Sequence, residues 1–295
     1  MKTLLAVAAT ALAAAATTPA FAQSVQIEDA VARVVVIVED RADVAVSVEA
    51  GTADLPSLTV RREGDATIVS GGLSERRFAM RRSRIRDCRS GPQGAPQPGT
   101  GASAEVRGVG RVELSQAPLV IIRAPRDVKV SADGAVFGTV GQGAREVDLS
   151  IAGCGDWTVP NVTNDVKVNI GGSGSALLGD SRSLEVNIGG SGEVRGGTTG
   201  AFEINIGGSG DVRLAGATGR SGAVSIGGSG DVEVRGGTLE DLSVSIAGSG
   251  DVVFGGRTGD LDVSIVGGGD VRVAEATGQV SRSIMGSGEV TVGKR

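Results

Sequence analysis

Acidic side chains recur at one position of a glycine-rich repeat, and regularly spaced carboxylates are candidate ligands for a cation. The row contains Asp156, Glu193, Asp211, Asp231, Asp251, Asp270 and Glu289. Repeats that bind Ca²⁺ have the pattern G-G-x-G-x-D, whereas the acid here comes one place earlier and Ser175 interrupts the row. The pattern therefore favours exposed turn residues that hydrogen-bond to nearby backbone. No cofactor is predicted, and Ca²⁺ binding is the alternative.

A second row of polar residues alternates with the apolar positions of the same repeats. It consists of Asn169, Asn187, Asn205, Ser225, Ser245, Ser264 and Ser283. Asn side chains in such a row can form ladders along a stacked sheet. The row predicts a solvated sheet face, with a polar strip that binds polysaccharide as the functional alternative.

Arginine is concentrated in one stretch of the chain. The cluster comprises Arg76, Arg77, Arg81, Arg82, Arg84, Arg86 and Arg89. Its pattern favours a flexible, solvated loop. The functional alternative is contact with anionic lipid head groups, lipopolysaccharide or polysaccharide. The residues proposed to make that contact are Arg81, Arg82, Arg84 and Arg86.

The two cysteines, Cys88 and Cys154, are candidates for a disulfide. Neither lies in a C-x-x-C motif or near a histidine, so the sequence does not indicate a metal site. A pair of cysteines in an exported chain is typically oxidised. The sequence therefore predicts a Cys88–Cys154 bond, and two unrelated buried thiols are the alternative.

Catalytic groups are scarce, because the chain contains no histidine. Ser–His triads and the commonest general base are thereby excluded. The G-G-S-G matches are turns rather than a nucleophile elbow, and no helix follows them to form a phosphate loop. The chain is predicted not to be an enzyme, although a lyase that uses Arg, Lys or Asp alone stays open.

The elements that position these residues come from an internal repeat. An isoleucine precedes each glycine cluster, and successive isoleucines are 18 to 20 residues apart. The aligned positions are Ile151, Ile170, Ile188, Ile206, Ile226, Ile246, Ile265 and Ile284. Val128 to Gly138 forms a shorter, ninth copy. Within each copy the apolar residues have period two, which indicates strands joined by tight glycine turns.

One such copy cannot bury its own apolar face, whereas stacked copies bury it against their neighbours. The sequence therefore predicts an all-β fold, a parallel β-solenoid of about eight to nine rungs with 18–20 residues in each. A short β-rich amino-terminal segment precedes it, and the isoleucines are predicted to form one internal column. We also expect Arg282, at an inward position of the last copy, to mark a rung that frays or caps the stack.

Four segments are predicted along the chain. Residues 1–22 have a signal peptide pattern, with a positive start, an apolar run and an A-x-A site at Ala20–Ala22. Residues 23–73 form a β segment packed on the solenoid, 74–104 an exposed Arg/Pro/Gly-rich insertion, and 105–295 the repeat solenoid. The predicted early strands are Ala32–Glu39, Val44–Glu49, Ser57–Arg61 and Ala66–Ser70, and Val112–Arg123 is a later one.

The chain resembles the bacterial family described as "putative auto-transporter adhesin, head GIN domain". The likeness covers about residues 30–70 and 112–292, and the insertion does not fit it. The motifs that carry the likeness are the strands Val31–Glu39 and Ala66–Ser70, the segments Gln116-Ala117-Pro118-Leu119 and Ala124-Pro125, and the G-S-G-D-V units at Gly208–Val212, Gly228–Val232 and Gly248–Val252. The resemblance implies an extracytoplasmic β-solenoid, and it implies adhesion by analogy.

These observations predict a non-catalytic, exported structural and interaction protein, adhesin-like, that presents repetitive β faces in the cell envelope. The alternative is a polysaccharide-binding or polysaccharide-cleaving β-helix protein, which a cleft with clustered Arg, Lys and Asp would favour. Expected partners are envelope polysaccharide or another surface protein. The net charge of −5 gives no reason to expect nucleic acid, and no run after the signal peptide reaches transmembrane length. The expected location is the periplasm, the cell surface or the medium.

Overall fold

A computed structural model describes residues 24–77, 80–92 and 94–293 of this 295-residue protein. The side chains of residues 75–77, 80 and 81 also lie outside the description. The described chain is nearly all β-structure, as the sequence predicts. The predicted signal peptide, residues 1–22, falls outside the described residues.

The described residues form 24 strands in two groups. The amino-terminal strands are β1 Ser24–Val38, β2 Ala45–Glu49, β3 Thr59–Glu63, β4 Ala66–Ser70, β5 Ser74–Arg77, β6 Met80–Ser83, β7 Ile85–Arg89, β8 Ser103–Val106, β9 Gly110–Glu113 and β10 Leu119–Ala124. The strands of the stacked coils are β11 Asp127–Val140, β12 Glu146–Ile151, β13 Asp156–Val159, β14 Asp165–Ile170, β15 Ser175–Leu178, β16 Ser181–Ile188, β17 Glu193–Ile206, β18 Asp211–Ile226, β19 Val232–Val234, β20 Gly237–Gly248, β21 Val252–Gly267, β22 Val271–Ala276, β23 Val280–Gly286 and β24 Val290–Val292.

The coils stack in parallel and in register, which confirms the predicted solenoid of about nine turns. Ile170 lies beside Ile188, and Ile246 beside Ile265, so equivalent side chains are about 4.8 Å apart along the stack. The isoleucine column is buried from Ile151 to Ile265. Its last member differs from the prediction: Ile284 is 43% exposed, because no described strand covers it.

Glycine corners allow the coils to approach this closely. A Cβ atom on Gly190 would collide with the carbonyl oxygen of Gly172, and one on Gly208 would collide with that of Gly190. The glycine two residues after each isoleucine therefore lies directly over the backbone of the coil before it. Only a residue without a side chain fits there, so glycine repeats with the coil.

The amino-terminal end of the stack is covered by strands that pair both parallel and antiparallel. Strand β1 pairs in parallel with β11 on one side and with β4 and β10 on the other. Strands β2 and β3 then pair antiparallel with β10 and β4. The first strand begins at Ser24, earlier than the predicted Ala32, and a bulge at Asp29, with φ 50°, interrupts its pairing.

A second, smaller core lies outside the solenoid, over its first coils. The predicted insertion contributes to this core through Ala102 and Ala104, which are both buried. These residues pack with Phe137 and Ala135 on the outer face of β11. The segment 74–104 is therefore not exposed along its whole length, because part of it supplies apolar cover for the first coil.

The predicted strand Val112–Arg123 is divided into β9 and β10 by a 3₁₀ helix at Leu114–Gln116. Leu114 is completely buried in the second core, and Ala117 accepts hydrogen bonds from the side chain of Arg33. The packing of Leu114 in this core therefore interrupts the strand that the period-two pattern predicts. Among the residues described, no helix has the length and apolar character that crossing a membrane requires.

Candidate interaction surfaces

The acidic row forms a ladder of hydrogen bonds between coils. The Asp231 carboxylate accepts the backbone N–H of Asp251 at 2.9 Å, and the Asp251 carboxylate accepts that of Asp270 at 2.9 Å. Asp270 accepts the N–H of Glu289 at 3.0 Å in the last coil. The acids accept hydrogen bonds from backbone, but the partner lies in the next coil and not in the nearby turn that the sequence predicts.

Arginines two residues after the acids neutralise part of this row. Arg195 contacts Glu193 at 2.8 Å, and Arg272 contacts Asp270 at 2.8 Å. Arg213 bridges two coils, because its guanidinium lies 2.7 Å from Glu193 and 3.2 Å from Asp211. Within the described ranges, no group of three or more His, Cys, Asp or Glu residues is arranged to hold a metal ion.

The asparagine row forms a ladder of amide hydrogen bonds on one outer face. The Asn205 amide donates to Asn187 Oδ1 at 3.0 Å, and Asn187 donates to Asn169 Oδ1 at 3.0 Å. The same amides also donate to Glu203 and Glu185 in the neighbouring column. The amide groups are therefore held in one orientation, and this face presents an ordered polar array.

Beside the asparagine ladder lies an open groove of about 650 Å³. Its charged lining includes Lys129, Asp148, Lys167, Glu185 and Glu203. Opposite charges alternate over the four coils from Lys129 to Glu185, so Lys129 lies 3.3 Å from Asp148 and Lys167 lies 2.7 Å from Glu185. Glu203 ends the alternation, because it lies beside Glu185. This groove was not predicted from the sequence. Lysine and acidic residues alternate at one position of the first repeats, and this alternation could have indicated it.

The ion pair between Lys167 and Glu185 shifts the titration of both groups. Hydrogen bonds from Lys167 and then from Asn187 hold the pKa of the Glu185 carboxyl below its usual value. The bond to Glu185 likewise raises the pKa of the Lys167 ammonium. Both groups are therefore charged near neutral pH, and the groove combines cations and anions in adjacent coils.

The arginine-rich stretch forms a hairpin of β5 and β6 followed by β7. Arg82 and Arg86 are exposed, and Arg84 is half-buried. The Arg84 guanidinium donates to the carbonyl oxygen of Arg107 through Nε at 3.1 Å and Nη2 at 2.7 Å. Arg84 therefore fixes the hairpin to the β8–β9 turn. Arg81 lies in β6, and its side chain is outside the description.

Cys88 and Cys154 lie close together, in β7 and at the glycine corner of the second coil. Their Cα atoms are 6.1 Å apart, which is within the span of a disulfide, and the structure joins their sulfur atoms. Nearby, the Ser90 hydroxyl donates to Asp156 at 3.0 Å, and Ser175 donates to the same carboxylate at 2.5 Å. The insertion is therefore attached to the first coils by several kinds of contact.

Aromatic platforms for sugar rings are absent from the described surface. The aromatic side chains in the described ranges, Phe137, Trp157, Phe202 and Phe254, are all buried. The indole N–H of Trp157 donates to the carbonyl oxygen of Val136 at 3.0 Å. Trp157 therefore has a structural role, and a sugar ligand would have to be bound through polar groups.

The repeated coils, with their in-register glycine corners and acidic ladder, agree with the family likeness of the sequence. Residues 196–295 match the model of the family described as "Putative auto-transporter adhesin, head GIN domain". This match covers the last coils of the solenoid, from within β17 onward. The resemblance stated from the G-S-G-D-V units is confirmed for this part of the chain.

A solved structure shares the fold over nearly the whole chain. It is the crystal structure of a protein described as a putative lipid binding protein, from Parabacteroides distasonis ATCC 8503. The two chains are 17% identical, with 92% of this chain and 93% of that chain covered and a TM-score of 0.56. No curated protein matches the sequence.

Proposed function

We propose that this protein is a non-catalytic, exported interaction protein of the cell envelope, adhesin-like, that presents repetitive β faces to a polar or anionic surface. The observation that carries this proposal is the regular outer surface of the coils. Its acids bond to backbone N–H groups of the next coil, and its amides bond to equivalent amides in the Asn169–Asn187–Asn205 ladder. Such groups form an ordered binding face rather than a set of activated catalytic groups.

The arginine-rich hairpin is the proposed contact with anionic envelope material. Arg82 on β6 and Arg86 on β7 are both exposed, and Arg81 and Arg84 belong to the same stretch. Clustered cations attract phosphate and carboxylate groups of lipids and polysaccharides. The description of the structural neighbour as a putative lipid binding protein supports lipid head groups as one source of such anions.

The test is binding of the mature protein to anionic and neutral vesicles and to a glycan array. Replacing Arg81, Arg82, Arg84 and Arg86 by serine should weaken binding to phosphatidylglycerol vesicles at least about tenfold, because this electrostatic term is additive and salt-dependent. The matched control removes four exposed arginines from the coils, with the same change in net charge: Arg195, Arg220, Arg235 and Arg257. An equal loss in the control would contradict the assignment to the hairpin.

Binding of a polysaccharide along the charged groove is the second candidate. The groove combines cations and anions in adjacent coils, and the ordered amides of the asparagine ladder lie beside it. Polar groups held in fixed positions can bind sugar hydroxyls without aromatic stacking. Replacing Lys167 and Glu185 by alanine should abolish glycan-array signals and leave vesicle binding unchanged if this candidate is correct.

A further inference from the structure

The carboxy-terminal edge of the stack is formed by β23, and it is uncovered in the described part of the chain. Every residue of β23 is exposed, and no described strand pairs with its outer side. The aliphatic side chains Val280 and Ile284 continue the buried columns of the earlier coils but are 37% and 43% exposed. Met285 and Val266 are exposed beside them, at 73% and 53%. The edge therefore offers both unpaired backbone groups and apolar surface.

A single charge interrupts this apolar edge. Arg282 lies in register with Val263, and the earlier members of the same inward column are all buried aliphatics. They are Val130, Leu149, Val168, Val186, Ile204, Val224, Val244 and Val263. Arg282 is exposed, and none of the described residues forms a hydrogen bond or an ion pair with its guanidinium. The edge thus has the alternating pattern aliphatic, cation, aliphatic.

This pattern disfavours a second copy of the chain as the occupant. A two-fold antiparallel pair centred on Arg282 would place two guanidinium groups opposite each other, which is destabilising. A pair centred on Ser283 would bury Arg282 against Ile284 without a counter-charge. The β23 edge cannot stack on the amino-terminal end of a second copy, because β2 and β3 already cover that end. They pair antiparallel with β10 and β4.

We propose that the β23 edge binds one extended strand of a partner protein, with an acidic side chain opposite Arg282 and aliphatic side chains on either side of it. The added strand would pair with the free backbone groups of β23, as in β-strand addition. Its aliphatic residues would cover Val280 and Ile284, and its carboxylate would pair with Arg282. Charge complementarity thus selects the partner, and the same charge keeps identical edges apart.

A synthetic peptide, acetyl-Thr-Val-Thr-Glu-Thr-Val-Thr-amide, is the probe for this proposal, because its side-chain pattern is the same in both strand directions. Isothermal titration calorimetry should show about tenfold tighter binding of this peptide than of the peptide with a central lysine. Arg282→Glu should reverse this preference, whereas Arg272→Glu, an exposed arginine on β22, should leave it unchanged. Circular dichroism confirms that each variant is folded.

Three results would overturn the proposal. The first is equal affinity for the two peptides, or no binding of either up to millimolar concentration. The second is dimerisation of the unliganded wild-type protein in sedimentation experiments that Arg282→Glu does not alter, since the edge would then accept a second copy. The third is binding of phosphatidylglycerol vesicles, lost with Met285→Ser and Val266→Ser, in the absence of peptide binding.

Discussion

The two ends of the stack present the same physical problem, an unpaired sheet edge over an apolar core, and the chain treats them differently. At the amino-terminal end, antiparallel strands and a second core that includes Ala104 and Phe137 cover the first coils. At the carboxy-terminal end, β23 is exposed along its whole length. A segment that covers the edge of the stack has to depart from the repeat. The irregular segments of the sequence are therefore found at the covered, amino-terminal end.

Replacing equivalent isoleucines near the two ends should give the largest contrast. Ile151→Ala should lower the free energy of unfolding by about 2–5 kcal/mol, because the side chain is fully surrounded. Ile284→Ala should lower it by less than about 1 kcal/mol, since the side chain is already 43% exposed. Urea denaturation followed by circular dichroism measures both. Equal losses would mean that the last coil is covered in solution.

Removing the predicted disulfide should affect the closed end alone. We expect Cys88→Ser with Cys154→Ser to lower the free energy of unfolding by about 2–4 kcal/mol. Hydrogen exchange should quicken in β7 and β12, while exchange in β21 to β23 stays the same. The unfolded, unreduced wild-type protein should contain no free thiol; titration of two thiols would argue against the bond.

Breaking the acidic ladder at the last coil should destabilise the carboxy-terminal end of the stack. Asp270→Ala removes the acceptor of the Glu289 N–H and should cost about 1 kcal/mol, with faster exchange of the Glu289 amide. Asp270→Asn keeps an acceptor oxygen and is the matched control. If Asn and Ala behaved alike, the charge of Asp270 rather than its hydrogen bond would be responsible.

The smallest effect is expected from the ion pair in the middle of the stack. The pKa of Glu185 is lowered in the folded protein, so its stabilising effect is present above the usual glutamate pKa and is lost as the pH falls through the folded value. Glu185→Gln should therefore lower Tm slightly at pH 7, and the difference from the wild-type protein should diminish as the pH falls below the usual pKa of glutamate. A difference that did not diminish with falling pH would point to packing rather than charge.

Much of the fold could be predicted from the sequence, because the alignment of the repeats also gives the register in which the strands pair. Once Ile170 and Ile188 are aligned, period-two alternation decides which neighbours point inward. The cover of the first coils could not be read in this way, since Ala102 and Ala104 have no periodic partners and are buried by distant residues. The groove was missed because its charges are ordinary surface residues until stacking brings Lys167 beside Glu185.

The glycine corners have a consequence for how this protein can change in length. Each corner accepts only a bare backbone above it, as Gly190 does over Gly172, so every coil presents the same docking surface to its successor. Duplication or loss of one whole repeat in the gene would preserve that surface, whereas gain or loss of a few residues would displace a corner. We therefore expect evolution to lengthen or shorten such proteins by complete repeats, between two ends that are inherited unchanged.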